Sequence, residues 1–147
     1  MFSGIVAGFA PVSSIDRKAS LQTFSVALEG DLKADLRIGA SVAIDGVCMT
    51  VTKIDGDDIF FDAMAETLER TTLGALGEGS KVNVERSVRY GDEIGGHEVS
   101  GHVHGKSKIL EIDKTIENNC VMRFSVPAEL MKYVFPKGYI SLNGATL

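Results

Sequence analysis

All three histidines of the chain, His97, His102 and His104, lie within one glycine-rich stretch, GDEIGGHEVSGHVHG, at residues 91–105. An imidazole titrates near neutral pH, so it can act as a general base, and it is also a common metal ligand. The spacing H-x4-H-x-H lacks the paired cysteines or carboxylates of known zinc sites, so we expect no metal here. The stretch therefore favours a proton acceptor over a metal centre.

The three histidines have different structural explanations. His102 and His104 are two residues apart, so in a strand they would share one face. A strand histidine bonded to a backbone carbonyl remains an alternative to the base role of His102. His97 follows Gly95-Gly96 and is better explained as a residue at the seam between two structural units. We assign His104 to the surface.

The net charge, the absence of a long apolar run and the cysteine spacing exclude several classes of function. The chain has 147 residues, a formal net charge of -5 and 44% hydrophobic residues. Nucleic-acid affinity rests largely on Lys and Arg that neutralise phosphates, so we expect no nucleic-acid partner. The sequence shows no charged-then-apolar leader and no apolar run near the roughly 18 to 20 residues that span a bilayer. We therefore expect a cytoplasmic chain without membrane association. Cys48 and Cys120 form no CxxC pair and are predicted to be free thiols.

The elements that must position these side chains are predicted to be short β-strands. Runs rich in Val, Ile, Phe and Thr recur between Gly, Asp and Asn residues, with a period of two. In residues 47–52 this alternation predicts a core face and an opposite, polar or cavity-lining face. The core face holds Val47, Met49 and Val51, and the opposite face holds Cys48, Thr50 and Thr52.

Turns and helices complete this outline. Asp45-Gly46 and residues 55–58 predict tight turns. Three brief stretches have helical character: DLKADLRIG (31–39), ETLERTTLGAL (66–76) and PAELMKYVF (127–135). Pro127 would occupy a first helical position. The whole pattern indicates an all-β protein, either a small barrel or a sandwich.

The chain repeats itself at an offset close to 97 residues. The aligned blocks are residues 2–17 with 99–114, Phe24-Ser25-Val26 with Phe124-Ser125-Val126, and residues 41–49 with 139–147. A unit of this length suits a small barrel domain rather than a solenoid repeat. We predict two domains, 1–97 and 98–147, of which the second is partial, as in a fragment or a natural truncation. Its unpaired strand edges should make it less stable or lead it to pair with another chain.

Five motifs carry a resemblance to a known family: MFSGIV (1–6), DGVCMTV (45–51), ETLERTTL (66–73), VNVER (82–86) and DEIGGHEVSGHV (92–103). In order and over the whole chain, they resemble riboflavin synthase of the α-chain type. The GGHxxSGHV signature is specific to it. The resemblance implies an all-β fold of tandem small closed antiparallel β-barrels, with the second barrel incomplete in this chain.

The resemblance also implies an activity and partners. Two molecules of 6,7-dimethyl-8-ribityllumazine exchange a four-carbon unit, which gives riboflavin and 5-amino-6-ribitylamino-pyrimidinedione in a transferase reaction. No metal and no organic cofactor is implied. The family assembles as homotrimers, with a site between the first barrel of one subunit and the second barrel of its neighbour. Lumazine synthase is a further expected partner.

Candidate site residues follow from the same resemblance. The lumazine C7 methyl is acidic, so the reaction needs chiefly a proton acceptor and two oriented substrates. The implied catalytic residues are His102 as base, Cys48, which lines the pocket or adds to C7, and Ser41. The implied substrate-binding residues are Gly4, Ile5, Val6, Cys48, Met49, Thr50, Asp62, Ala63, Met64, Ala65, Glu66, Thr67, Gly101, His102, Val103, Lys137, Thr146 and Leu147. Gly101, His102, Val103, Thr146 and Leu147 are the repeat counterparts of first-copy residues and predict a second pocket. By the same resemblance, Lys137 reaches toward the substrate of a neighbouring subunit.

Structural alternatives accompany several of these assignments. A lone thiol such as Cys48 is usually inert packing. Glu66 and Thr67 are explained equally well as a cap on the ETLERTTL turn. The alternative explanation for Lys137 is a solvated lysine on the surface. For the whole chain, the second hypothesis is a lumazine- or flavin-binding protein of the same fold without turnover. A β-barrel interaction module without a ligand ranks last, because it explains neither the signature nor the polar strand face.

Overall fold

Six strands of the first half close into a barrel. In the computed structural model, which describes residues 1–147, they are β1 (Gly8–Arg17), β2 (Leu21–Ala27), β3 (Ser41–Ile44), β4 (Val47–Asp55), β5 (Asp58–Met64) and β6 (Lys81–Arg86). The strand order is β1-β2-β5-β4-β3-β6, and antiparallel pairing of β6 with β1 closes the barrel. The predicted small closed antiparallel barrel is confirmed for this half.

The predicted turns join neighbouring strands. Asp45 and Gly46 have φ values of 48° and 80° and connect β3 to β4. Two positive φ values in a two-residue loop match the right-handed twist of a hairpin, which explains the Asp-Gly sequence. The second predicted turn is also confirmed, because β4 ends at Asp55 and β5 begins at Asp58.

The barrel core follows the alternation seen in the sequence. Along β4, Val47, Met49 and Val51 are buried, whereas Thr50 and Thr52 are exposed. Seventeen buried side chains form one core cluster. The rings of Phe24 and Phe61 lie at its centre, with centroids 5.6 Å apart. Burial of these apolar side chains is the main driving force that holds the barrel closed.

Helical structure is shorter than the sequence pattern indicates. One α-helix, α1 (Ala65–Arg70), follows β5, and a 3-10 turn at Thr72–Ala75 follows it. The stretches at 31–39 and 127–135 yield only the 3-10 turns Gly30–Leu32 and Met131–Tyr133. The helical expectation with Pro127 at its first position is therefore wrong. An exposed nine-residue segment gains too little packing to offset helix nucleation. No helix of the chain is long and apolar enough to cross a bilayer.

The second half forms two separate hairpins. β7 (Lys108–Asp113) pairs with β8 (Val121–Ser125), and β9 (Ser141–Leu142) pairs with β10 (Ala145–Thr146). The turn between β9 and β10 repeats the first-half turn, since Asn143 and Gly144 have φ values of 53° and 91°. Of the 26 buried residues of the chain, only Gly144 lies beyond residue 86. The expected incomplete second barrel is confirmed.

The first strand of each copy starts after its SGxVxG motif. SGIVAG (3–8) reaches β1 only at Gly8, and SGHVHG (100–105) ends before β7 starts at Lys108. Gly4 and Gly101 have φ values of 71° and 77°. This left-handed conformation breaks a strand, and each segment crosses to the opposite half of the molecule instead.

Candidate functional site

The two halves meet through hydrogen bonds between repeat counterparts. Phe2 and Val99 each donate a backbone N–H to the other's carbonyl, at 2.9 and 3.0 Å. The Cys48 N–H donates to the Gly101 carbonyl at 2.9 Å. In the mirrored contact, the Thr146 N–H donates to the Gly4 carbonyl at 2.8 Å. The contacts have the reciprocity of a local twofold axis between the halves.

Three candidate residues share the outer face of the β3–β4 hairpin. Ser41 lies opposite Thr50 in the ladder, and Cys48 lies two residues before Thr50. Cross-strand neighbours and alternate residues point to the same side. The structure therefore brings Ser41, Cys48 and Thr50 together outside the barrel core. The Cys48 thiol is free and half-buried.

The second half covers this outer face. A Cβ added at Gly101 would lie 2.8 Å from the Cys48 Cβ, so only glycine permits this approach. Val103 packs against the barrel core two residues further on. The segment from Gly101 to Lys106, which we call the covering segment, thus lies across the first barrel.

A groove separates the covering segment from α1. Its volume is about 500 Å³, and its lining residues are Glu66, Glu69, Arg70, Gly105 and Lys106. This volume is in the range of small-molecule sites. The lining is charged, however, whereas most small-molecule pockets are mainly apolar with a few polar groups. Charged and polar groups are suited to hydroxyl-rich ligands, because each can accept or donate several hydrogen bonds.

The side chains of residues 62–64 alternate at the end of β5. Asp62 points outward and accepts a hydrogen bond from Thr23 Oγ1 at 2.6 Å. Ala63 is fully buried in the core, whereas the Met64 side chain is 68% exposed. Met49 also faces the core. A ligand outside the barrel could therefore meet Ala63 and Met49 only through their backbone.

Helix α1 carries the rest of this candidate segment. Ala65 starts the helix and is exposed. Glu66 pairs with Arg70 at 3.1 Å, on the groove described above. No side chain caps the start of α1, so Glu66 is not a capping residue. The Thr67 carbonyl accepts a hydrogen bond from Thr71 Oγ1 at 2.6 Å, which closes the end of the helix.

The three histidines occupy different environments. His102 is exposed, and its backbone N–H donates to Ser100 Oγ at 3.1 Å. Its side chain makes no protein hydrogen bond, so the alternative of a carbonyl-bonded strand histidine is not observed. His104 is exposed on the same side. His97 shares a hydrogen bond of 3.0 Å with Thr146 Oγ1 and stacks on Tyr139 with ring centroids 4.3 Å apart. His97 thus lies at the seam.

The residues predicted to form the second pocket do not come together, because Gly101 packs against Cys48 whereas Thr146 packs against Gly4. The pocket that remains at Gly4 and Thr146 has only one wall. Gly4 is buried, and a Cβ added there would lie 2.6 Å from the Thr146 Cβ. Ile5 and Leu147 are 51% and 66% exposed; Val6 is half-buried. Lys137 is exposed, in a left-handed conformation before Gly138. The structure brings the Gly4 and Thr146 pair together but encloses no cavity around it.

A buried carboxylate that sequence reasoning missed holds the first crossing segment. Glu85 is 5% exposed, and Oε1 accepts hydrogen bonds from the Ser3 N–H at 2.6 Å and the Ser3 hydroxyl at 2.8 Å. Oε2 accepts a third from the Gly4 N–H at 3.1 Å. The alternation in VNVER offered a signal, because it places Glu85 on the face opposite Val82 and Val84.

A second missed residue is Asp45. Its Oδ1 accepts hydrogen bonds from the Asn83 N–H at 2.8 Å and from Asn143 Nδ2 at 3.1 Å. Burial raises the pKa of the Asp45 carboxyl above its usual value, and the two hydrogen bonds oppose this rise. Its partner Asn143 is 98 residues away, so no local sequence pattern indicates this contact.

Comparison with known proteins assigns the family. The model of the lumazine binding domain matches residues 3–87 and 100–147. Riboflavin synthase of Escherichia coli (strain K12) is 46% identical over all of this chain, which covers 69% of that protein. The enzyme of Buchnera aphidicola subsp. Schizaphis graminum is 43% identical, and the chain covers 71% of it.

Solved structures agree with this assignment. LumP complexed with riboflavin superposes with a TM-score of 0.89 at 26% identity, over 99% of this chain and 78% of that one. LumP complexed with 6,7-dimethyl-8-(1'-D-ribityl) lumazine superposes with a TM-score of 0.86 at 25% identity, over 100% of this chain and 78% of that one. Sequence and fold thus point the same way, and the chain belongs to the riboflavin synthase family.

Proposed function

We propose that the chain catalyses the riboflavin synthase dismutation. Two molecules of 6,7-dimethyl-8-ribityllumazine react, and a four-carbon unit moves from one to the other. The products are riboflavin and 5-amino-6-ribitylamino-pyrimidinedione. The observation that carries this proposal is the outer face of Ser41, Cys48 and Thr50 with the covering segment across it, in a chain 46% identical to a riboflavin synthase.

The first ligand occupies the groove beside this face. Glu66 on α1 and Gly105 on the covering segment line its two sides. The neighbouring Thr67, Gly101 and Val103 complete the contacts with the ring edge and the ribityl hydroxyls. Both Gly101 and Val103 are half-buried against the first barrel. The groove volume of about 500 Å³ admits one lumazine. The Gly4 and Thr146 edge serves the second ligand in the same way.

His102 is the proton acceptor. The reaction starts with loss of a proton from the C7 methyl, and an imidazole side chain can accept that proton as a general base. The exposed His102 side chain is free of protein hydrogen bonds and is available to substrate. Cys48 lines the pocket and polarises or adds to C7, and Ser41 supports it from the neighbouring strand.

The assembly completes the proposal. Residues 1–97 and 98–147 are two lumazine-binding units, related by the internal repeat. The exposed apolar side chains of the second half, such as Ile109, Met122 and Phe135, support an oligomeric working form. We propose a cytoplasmic homotrimer, with lumazine synthase as supplier of substrate. We propose no metal or organic cofactor.

A turnover assay tests the function. Purified chain is mixed with 6,7-dimethyl-8-ribityllumazine, and riboflavin formation is followed by absorbance and fluorescence. His102→Gln is expected to lower the rate by about 10² to 10⁴. His104→Gln is the matched control, two residues away in the same segment, and is expected to retain the wild-type rate. Equal rates for both variants would contradict the assignment of His102 as base.

A second candidate function is lumazine or flavin binding without turnover. It is favoured by the superposition on LumP, solved with riboflavin and with the ribityl lumazine. The same assay separates the two candidates. Quenching or a spectral shift of the lumazine without riboflavin formation would establish the binding protein and contradict the enzyme.

A further inference from the structure

Two turns of the same type face each other where the halves meet. Asp45-Gly46 and Asn143-Gly144 all have positive φ values. A Cβ added at Gly46 would lie 2.5 Å from the Gly144 nitrogen, and a Cβ added at Gly144 would lie 3.0 Å from the Gly46 nitrogen. Each turn therefore packs against its own repeat counterpart, as at a twofold axis.

The side chains at the first turn position differ in their hydrogen-bonding capacity. An ionised carboxylate only accepts hydrogen bonds, whereas an asparagine amide can also donate. Asn143 Nδ2 donates to Asp45 Oδ1 at 3.1 Å, across the axis. Asn83 strengthens the contact, because its N–H donates to the same Asp45 oxygen at 2.8 Å and its Nδ2 donates to the Asn143 carbonyl at 3.0 Å.

We propose that the pair of Asp45 and Asn143 is a recognition element that selects which turn docks on the first half. The first half accepts a turn with an amide at this position and rejects a turn with a second carboxylate. The occupant is the second half of the same chain. The first half of another copy would bring one Asp45 against another, and two like charges in this partly buried contact repel each other.

Backbone strain does not favour asparagine over aspartate at this turn position. Asp45 has a φ of 48° and Asn143 a φ of 53°. The fold therefore holds an aspartate in the left-handed conformation at the equivalent turn position. Substitution of Asn143 by aspartate mainly changes charge and donor capacity, which are the properties that the proposal concerns.

Hydrogen exchange of the full-length chain tests the proposal. The reporters are the cross-half amides of Phe2, Cys48, Val99 and Thr146, measured by NMR. Asn143→Asp is expected to speed their exchange at least about tenfold, because opening of the contact is favoured by repulsion. Asp45→Asn is expected to change it less than about threefold, since an amide oxygen still accepts both hydrogen bonds.

The decisive variant is the double substitution that swaps the two residue types between positions 45 and 143. In Asp45→Asn combined with Asn143→Asp, the amide introduced at position 45 donates to the carboxylate introduced at position 143. The hydrogen-exchange rates of the cross-half amides are expected to return to within about threefold of the wild-type rates. Asn119→Asp adds the same charge on an exposed turn and is the control for net charge.

Two results would overturn the proposal. One is wild-type exchange rates in Asn143→Asp; the other is exchange in the double variant as fast as in Asn143→Asp alone. The Val26 amide, in the barrel ladder, reports whether the first barrel stays folded. If Asn143→Asp also loosens the barrel, recovery or failure of the double variant still decides the question.

Discussion

The two halves of this chain share a sequence unit but differ in what they bury. Met49 is 4% exposed, and its repeat counterpart Leu147 is 66% exposed. Val42 is fully buried, whereas its counterpart Ile140 is 37% exposed. Both pairs lie on hairpins with the same turn. The comparison teaches that an alternating apolar face becomes a core only when a ladder closes around it, as the six strands of the first half do.

The largest test of this contrast replaces equivalent phenylalanines. Phe24→Ala removes a fully buried ring packed on Phe61 and is expected to lower the free energy of unfolding by about 3–5 kcal/mol. Phe124→Ala, at the half-buried counterpart, is expected to lower it by about 1 kcal/mol. Urea denaturation followed by circular dichroism measures both. Equal losses would mean that the halves are equally packed.

A glycine substitution sharpens the contact between the halves. Gly46→Ala is expected to cost about 2–4 kcal/mol, because it adds left-handed strain and a Cβ only 2.5 Å from the Gly144 nitrogen. Gly56→Ala is the matched control, since Gly56 has a φ of 58° with nothing within 4 Å of the added Cβ. It should cost only the strain, about 1–2 kcal/mol. Identical costs from thermal denaturation would argue that the turns do not touch in solution.

Glu85 tests how the first crossing segment is held. Glu85→Gln keeps the size of the side chain but loses its charge and one of its acceptor oxygens. Three hydrogen bonds to Ser3 and Gly4 depend on that carboxylate, so we expect a loss of about 1.5–3 kcal/mol. Faster hydrogen exchange of the Gly4 amide is the specific readout. Glu78→Gln, at an exposed position, should leave that amide unchanged.

The smallest expected effect is a pH dependence at Asp45. Since burial raises the pKa of Asp45 above 3.8, the folded state binds this proton more tightly than the unfolded state. The stability that this proton contributes is fully present below pH 3.8 and is lost as the pH rises through the raised value. The stability difference between wild type and Asp45→Asn should therefore shift in favour of wild type as the pH falls from 7 towards 3.8. A flat difference for Asp45→Asn would contradict the raised pKa.

Local patterns predicted much of the fold. Asp45-Gly46 and residues 55–58 predicted the turns that join β3 to β4 and β4 to β5, and alternation in β4 predicted which side chains enter the core. The helical pattern at 127–135 failed, because periodicity alone cannot supply the packing that a short helix needs. No sequence pattern indicated that the segments around Gly4 and Gly101 would each pack against the opposite half of the molecule. That arrangement depends on contacts about 100 residues apart, such as that between Phe2 and Val99.

Only part of the candidate site was accessible from the sequence. The shared face of Cys48 and Thr50 follows from strand alternation, and the position of Gly101 against Cys48 follows from neither alternation nor propensity. Glu85 holds the first crossing segment, and Asp45 and Asn83 hold the turn at Asn143. Their roles become visible only when their hydrogen-bond partners are known.

The central claim is that a lumazine binds outside the first barrel, in the groove between α1 and the covering segment, next to Cys48 and Thr50. The most direct measurement is a titration of the isotope-labelled chain with 6,7-dimethyl-8-ribityllumazine, followed by amide chemical shifts. Ser41, Cys48, Thr50, Gly101 and Val103 are predicted to shift together, while β7 and β8 stay unchanged. Shifts confined to β7 and β8, or no shifts at saturating ligand, would contradict the account.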